Sequence, residues 1–160
     1  MALRIDHTHE IEAPAETVWQ VLTDLPAYPD WNPFVVAAES SLEVGAAMDM
    51  RVRVLPFMAQ SQREWVTAVE PGLGFCYGLA PSAGGALASE RCHAITPEGP
   101  DRCRYESHFE LSGWLSGVVK GLLGSQLRRG FTEMSAAVKT RAEALAKETT
   151  PRDGAEGGSP

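Results

Sequence analysis

The chain is poor in cysteine: Cys76, Cys92 and Cys103 are the only three, and none stands in a Cys-x-x-Cys pair. That number and spacing offer no structural zinc site, and the expectation is reduced thiols in a cytoplasmic protein. Long apolar runs are missing too. No segment approaches the roughly 20 apolar residues that span a bilayer. The opening residues, Met1-Ala-Leu-Arg-Ile-Asp6, hold no stretch of the signal-peptide kind. Lys and Arg number 14 against 21 Asp and Glu, a formal charge of −7. Nucleic-acid binding needs clustered positive charge, so this balance argues against it. The chain has no Gly-x-Ser-x-Gly elbow, His-Glu-x-x-His helix, phosphate-binding glycine loop or dinucleotide fingerprint. Neither a metal nor an organic cofactor is expected, and there is no internal repeat.

What remains is an ordinary globular composition, with 160 residues, 44% hydrophobic and 22% charged. This is enough for one domain with a real core. The domain is expected over residues 1–147, with 148–160 as a disordered tail. From Thr149 to Pro160 there is no periodicity and no large apolar side chain to offset the entropy of ordering.

Leu3 to Glu12 alternates, with Leu3, Ile5, His7, His9 and Ile11 on one face and charged or hydroxyl residues on the other. This is a half-buried strand. Pro14 suits the first turn of a helix, where a missing N–H costs nothing, and Glu16 favours its positive end. Val18, Leu22 and Leu25 share one face, widened by Trp19. Pro26, Pro29 and Pro33 forbid a continuous helix beyond. Strands are expected at Phe34 to Glu39, Ala47 to Leu55, Gln60 to Glu70, Leu73 to Leu79, Leu87 to Thr96 and Arg102 to Leu111. The turn signals between them, among them Val44-Gly45, Pro71-Gly72 and Pro97 to Asp101, recur at hairpin spacing and favour an antiparallel meander.

From Leu115 the period becomes helical. Leu115, Val119, Leu123, Leu127, Phe131, Met134, Val138 and Leu145 form an apolar stripe. Residues Gly117 to Ala146 would make a rod of about 45 Å. Gly117, Gly121, Gly124 and Gly130 each weaken it by roughly 1 kcal/mol, so it must lie on the apolar face of the sheet.

Four segments in this order carry a resemblance: Ile11 to Trp19 with Tyr28-Pro-Asp-Trp-Asn-Pro-Phe34, then Val69-Glu-Pro71, then Ser112-Gly113, then Arg129 to Lys139. Over Leu3 to Leu145 the chain resembles the START-like (SRPBCC), helix-grip superfamily that includes polyketide cyclases and Bet v 1-type proteins. The resemblance implies an α+β helix-grip fold. A curved antiparallel sheet of six to seven strands wraps a long C-terminal helix, with two short helices after the first strand. It also implies a ligand-sized space between sheet and helix, typically about 300–1,000 Å³ and largely apolar.

Inward phases on the strands nominate the residues of that space. Apolar candidates are Met48, Met50, Val52, Phe75, Tyr77, Phe109, Leu111, Leu123, Leu127 and Phe131. Trp31 and Phe34 come from the proline-rich turn, where Trp31 either plugs the junction of sheet and helices or borders an entrance with the loop Pro81 to Gly85. Polar candidates are His7, His9, Ser89, Arg91, His93, Cys103, Tyr105 and Ser107. The phase of Gln60 to Glu70 is ambiguous; the family pattern favours Val66 facing in and brings Glu64 with it. Relatives place apolar or aromatic groups at several of these positions, including that of His93, so the pocket is expected to be more polar than a fatty-acid or sterol site.

Each polar group has a plain structural alternative. His7 and His9 can be satisfied strand side chains. Arg91 can pair with Glu90, Glu106 or Glu110 at an open sheet edge, and Cys103 can be a small buried hydrophobe. The first functional reading is a non-catalytic binder or carrier of a small hydrophobic or amphipathic molecule, monomeric or homodimeric. The second is a cyclase- or dehydratase-like lyase in which His7, Arg91, His93 and Tyr105 act on carbonyls. The third is an interaction module whose cavity is packed shut.

Overall fold

In a computed structural model, residues 2–149 are described; the expected tail beyond Thr149 lies outside them. Seven strands form one antiparallel sheet: β1 (Leu3–Ile11), β2 (Val35–Glu39), β3 (Ala47–Leu55), β4 (Met58–Glu70), β5 (Gly74–Gly78), β6 (Ala88–Gly99) and β7 (Arg102–Ser112). Their order is β1-β7-β6-β5-β4-β3-β2. Strands β2 to β7 are therefore a continuous meander, and β1 returns to pair with β7 along its whole length, from Leu3↔Leu111 to Ile11↔Cys103. The sheet curls around one long helix, the helix-grip arrangement expected.

Between β1 and β2 the chain crosses through α1 (Ala15–Thr23), a 3-10 turn (Leu25–Ala27) and the short α2 (Tyr28–Trp31). Pro14 supplies the first carbonyl of α1, accepting from Thr17 N at 3.0 Å. Val18, Val21 and Leu22 turn into the core. The buried Tyr28 hydroxyl donates to Leu22 O at 2.7 Å and locks the corner. Asn32, 4% exposed, ends α2; its Oδ1 accepts from the N–H groups of both Phe34 and Val35, at 3.0 and 2.9 Å. One buried amide thus sets the entry of β2 and the position of Phe34.

The closing helix, α3 (Ser116–Thr149), has 34 residues and a length of about 50 Å. It starts one residue earlier and ends three later than Gly117 to Ala146. Its buried face is Phe131, Met134, Ser135, Val138 and Ala142, at helical spacing, packed on β1, β3, β7 and α1. The N-terminal half differs from the expected stripe. Leu115, Val119, Leu123 and Leu127 are only half-buried, and Val118 and Leu122 are exposed. The N-terminal half of α3 is thus less covered than the C-terminal half.

The thiol expectation is overturned. Cys76 and Cys92 are disulfide-bonded, with Cα atoms 4.2 Å apart. They are directly paired residues of β5 and β6, and they alternate with the buried Phe75, Tyr77, Arg91 and His93. The bridge therefore sits on the convex face of the sheet. Disulfides persist in oxidising surroundings, so the cysteines no longer argue for a reducing compartment. Cys103 is free and fully buried, a small hydrophobe. Burial, with Glu10 and Glu98 nearby, pushes its thiol up to about 11. No helix among the described residues is long and apolar enough to cross a membrane.

Candidate functional site

Strand register decides which inward residues become neighbours. His7, Ser107, His93 and Phe75 stand in one cross-strand row; Ile5, Phe109, Arg91, Tyr77 and Val66 stand in the next. Glu64 is 5% exposed and Val66 is 2% exposed, so β4 takes the phase that brings Glu64 inward, while Trp65 points out.

A cavity of about 70 Å³ lies between these rows and α3. Phe34 and Val35 reach it from the β2 edge, Met50, Val52 and Val54 from β3, and Gln62 and Glu64 from β4. Tyr77, Arg91 and Phe109 come from β5, β6 and β7, and Leu127 and Phe131 from α3. The space is several times what one water needs, yet well below the 300–1,000 Å³ of a small-molecule site. The ligand-sized hollow expected is therefore corrected to a small chamber. Large side chains fill the rest: Phe131 lies edge-on to Phe34 at 4.8 Å and stacks on Phe109 at 4.5 Å.

Arg91 dominates the chemistry of the chamber. It is 2% exposed. Nη1 donates to Ser107 Oγ at 2.5 Å, Nη2 to Met134 Sδ at 3.7 Å, and the guanidinium carbon sits 4.6 Å from the Phe131 ring centre. Its Nε is buried with no partner among the described residues. Among the described residues no carboxylate bonds to it, so the surface pairing with Glu90, Glu106 or Glu110 does not occur. Hydroxyls, a thioether and an aromatic face, rather than a bonded carboxylate, surround the buried cation among the described residues, an expensive arrangement.

Glu64 lines the same chamber as Arg91 and interacts with it electrostatically. Burial pushes its carboxyl up to about 7, against the opposing pulls of the Gln62 amide, which donates to Oε1, and of Arg91. Near neutrality Glu64 is therefore divided between acid and carboxylate. Tyr77, its hydroxyl driven up by burial, keeps its proton.

The other nominated groups lie outside the chamber. His93 Nδ1 is hydrogen-bonded to the Tyr105 hydroxyl at 2.7 Å, the rings stacked 5.9 Å apart. Both residues are fully enclosed, and neither borders the cavity. Burial, and then Arg91, holds His93 well below its ordinary value, so it is neutral. Phe75 packs on His93 at 4.9 Å, behind the cavity wall. His7 and His9 reach α3 instead, Nε2 of each meeting Thr132 Oγ1 at 3.0 Å and Ser135 Oγ at 3.2 Å. Burial lowers both, His7 further through His9 and His9 further through Lys139. Ser107 acts behind Arg91 rather than at the cavity surface. Trp31 packs edge-on to Tyr28 at 5.1 Å and faces a separate groove with Arg141 and Leu145. Leu123 does not border the chamber. Of the four groups considered for acid–base work, only Arg91 borders the cavity.

The loop Pro81 to Gly85 does not border the chamber. Trp114 Nε1 donates to Gly84 O at 3.1 Å, and Trp114 N and Leu115 N donate to Gly85 O and Ala86 O. These bonds pin the loop to the start of α3. A separate groove of about 550 Å³ lies between Arg53–Pro56 and Ser125–Glu133, with Phe34 and Val54 common to groove and chamber. Gln62, Val35 and Val54 also line the chamber, beyond the residues that strand phase and resemblance nominate. Gln62 shares its strand phase with Glu64, a signal that was present; Val35 and Val54 carried none beyond ordinary alternation.

Residues 2–143 match the family described as polyketide cyclase / dehydrase and lipid transport, and the chain belongs to that family. No curated protein matches it. Among solved structures it is similar to the Zhui aromatase/cyclase from a Streptomyces species, at 19% identity and TM-score 0.68 over 99% of this chain and 100% of that one. It is also similar to norcoclaurine synthase from Thalictrum flavum in complex with dopamine and hydroxybenzaldehyde, at 18% identity and TM-score 0.67, over 94% and 89% of the two chains. A START superfamily protein from Mycobacterium smegmatis shares 18% identity at TM-score 0.64, over 92% and 99%. At these identities the likeness is one of fold.

Proposed function

We propose that this member of the polyketide cyclase/dehydrase and lipid-transport family binds a small amphipathic molecule between the sheet and α3. An oxygen-bearing end of the ligand, a carboxylate, phenolate or enolate, would lie against Arg91. The observation that carries this is the buried guanidinium itself. It borders the chamber, has an unpartnered Nε, and meets no carboxylate among the described residues. An anionic or strongly accepting ligand would supply the missing charge-assisted hydrogen bonds, which are shorter and stronger than neutral ones. The apolar wall of Met50, Val52, Phe109, Leu127 and Phe131 then favours a hydrophobic remainder. A void lined by aromatics and an arginine also favours this reading over a sealed interaction module.

A second reading is supported by Glu64. A carboxyl near pKa 7 on the same chamber as a guanidinium has the properties of a general acid–base group beside an oxyanion stabiliser. The enzyme would then be a lyase-type cyclase acting on an enolisable carbonyl, with Glu64 rather than His93 moving the proton. His93 and Tyr105 serve as a buried packing pair in either case.

The test is native mass spectrometry of full-length protein purified from its own host, followed by denaturation to release any small molecule. The expected result is one bound acidic or phenolic compound, retained by the wild type and lost from Arg91→Met. Empty protein in both, together with no binding of anionic aromatic probes, would refute the reading. Turnover of the released compound that disappears in Glu64→Gln while binding persists would select the enzyme over the carrier.

A further inference from the structure

The chamber beside Arg91 is too small to hold a whole ligand, and the adjoining groove explains how a larger one would fit. The groove, about 550 Å³, falls within the range of ligand sites. Phe34 and Val54 border both spaces, and the Phe34 ring is the larger of the two side chains.

The backbone around Phe34 is firmly held. Its N–H donates to Asn32 Oδ1 at 3.0 Å, and its carbonyl accepts from Arg53 N at 2.8 Å. The ring, in contrast, is held by packing alone, edge-on to Phe131 and seated on Gly130. The seat is close: a Cβ at position 130 would lie 2.2 Å from Phe34 Cδ2 and 2.8 Å from Cγ. Glycine at this point costs helix stability and leaves the room that the Phe34 ring occupies. A rotation about the Phe34 side-chain bonds, with the backbone still, would join chamber to groove; side-chain rotations of this kind are fast compared with backbone rearrangement.

We propose that groove and chamber are the two halves of one ligand site, with the Phe34 ring as the movable partition. This rests on the reading of Arg91 as the ligand anchor and extends it to the ligand's shape. The molecule is elongated, with its oxygen-bearing end inside at Arg91 and an aromatic or conjugated body passing Phe34 and Val54 into the groove. Its outer end can be polar, because Arg53 and the Arg129–Glu133 ion pair (2.9 Å) border the groove.

Stopped-flow fluorescence with anilinonaphthalene sulfonate, an aromatic anion of this shape, tests the proposal on full-length protein. Phe34→Ala and Gly130→Ala are expected to raise the association rate by at least about tenfold, and Ser125→Trp, which fills the groove from an exposed position, to lower it by a similar factor. Because Ser125 is exposed, that variant keeps the core intact and carries the test if the other two fold poorly. Unchanged rates in all variants that fold, while Arg91→Met still removes binding, would overturn the partition and leave the anchor standing. No probe binding to the wild type, or binding indifferent to Arg91→Met, would overturn the anchor itself.

Discussion

Replacing Glu64 with glutamine should alter how stability depends on pH, and the size of the effect follows from the site. In the folded protein burial holds the Glu64 carboxyl up to about 7, against an ordinary 4.5. Below pH 4.5 the group is protonated in both folded and unfolded chains and contributes no pH dependence. Between 4.5 and 7 the unfolded chain has released a proton that the folded chain still holds, so stability falls as pH rises. The interval of 2.5 between those two values, at 1.36 kcal/mol for each, amounts to about 3 kcal/mol, all of it lost above pH 7. Glutamine keeps the shape and the contact with Gln62 but has nothing to ionise. Urea unfolding of wild type and Glu64→Gln, measured from pH 4 to 8, isolates this group because the other titrations cancel in the difference. The variant should gain about 3 kcal/mol on the wild type across the window. A difference that stays flat would mean that Glu64 ionises as in water and that its burial does not raise its carboxyl.

Two other outcomes bear on the buried groups around the site. Tyr105→Phe leaves His93 Nδ1 without its partner and should cost about 1–3 kcal/mol in urea unfolding, with ligand-probe affinity unchanged; a loss of binding at full stability would instead place the pair in the site. Changing both Cys76 and Cys92 to serine opens a loop spanning 16 positions and should cost up to about 3 kcal/mol, with the wild type treated with reductant falling to the same value; no loss in either would show that the bridge is not formed.

Much of the fold was legible because periodicity and turn chemistry survive in one sequence. The strict alternation of Leu3 to Ile11, the hairpin turns and the late switch to a helical period define the grip, and the sheet then has only one apolar face to offer α3. Arg91, Ser107 and Phe109 were legible for the same reason, through strand phase. Glu64 was not fixed by alternation, because β4 has polar residues on both faces; only the family pattern chose its side. What strand phase cannot give is the cross-strand register and the filling of space. Cys76 and Cys92 become partners only once β5 is aligned on β6. His93 and Arg91 are two residues apart on the same face, yet one is enclosed by Phe75 and Tyr105 and the other borders the chamber. Gly130 reads in the sequence as a weak point of a helix; its use, as the seat of the Phe34 ring, requires the two elements to be in contact. The small volume of the chamber likewise depends on how Phe34, Phe109 and Phe131 pack, which no periodicity records.

Calorimetric titration of the wild type and Arg91→Met with naphthoate and with its neutral amide puts the role of the buried guanidinium to the most direct test. Naphthoate should bind the wild type at least about tenfold more tightly than the amide, and the preference should vanish in the variant. Equal affinities in the wild type, or a preference that survives the loss of Arg91, would contradict the account.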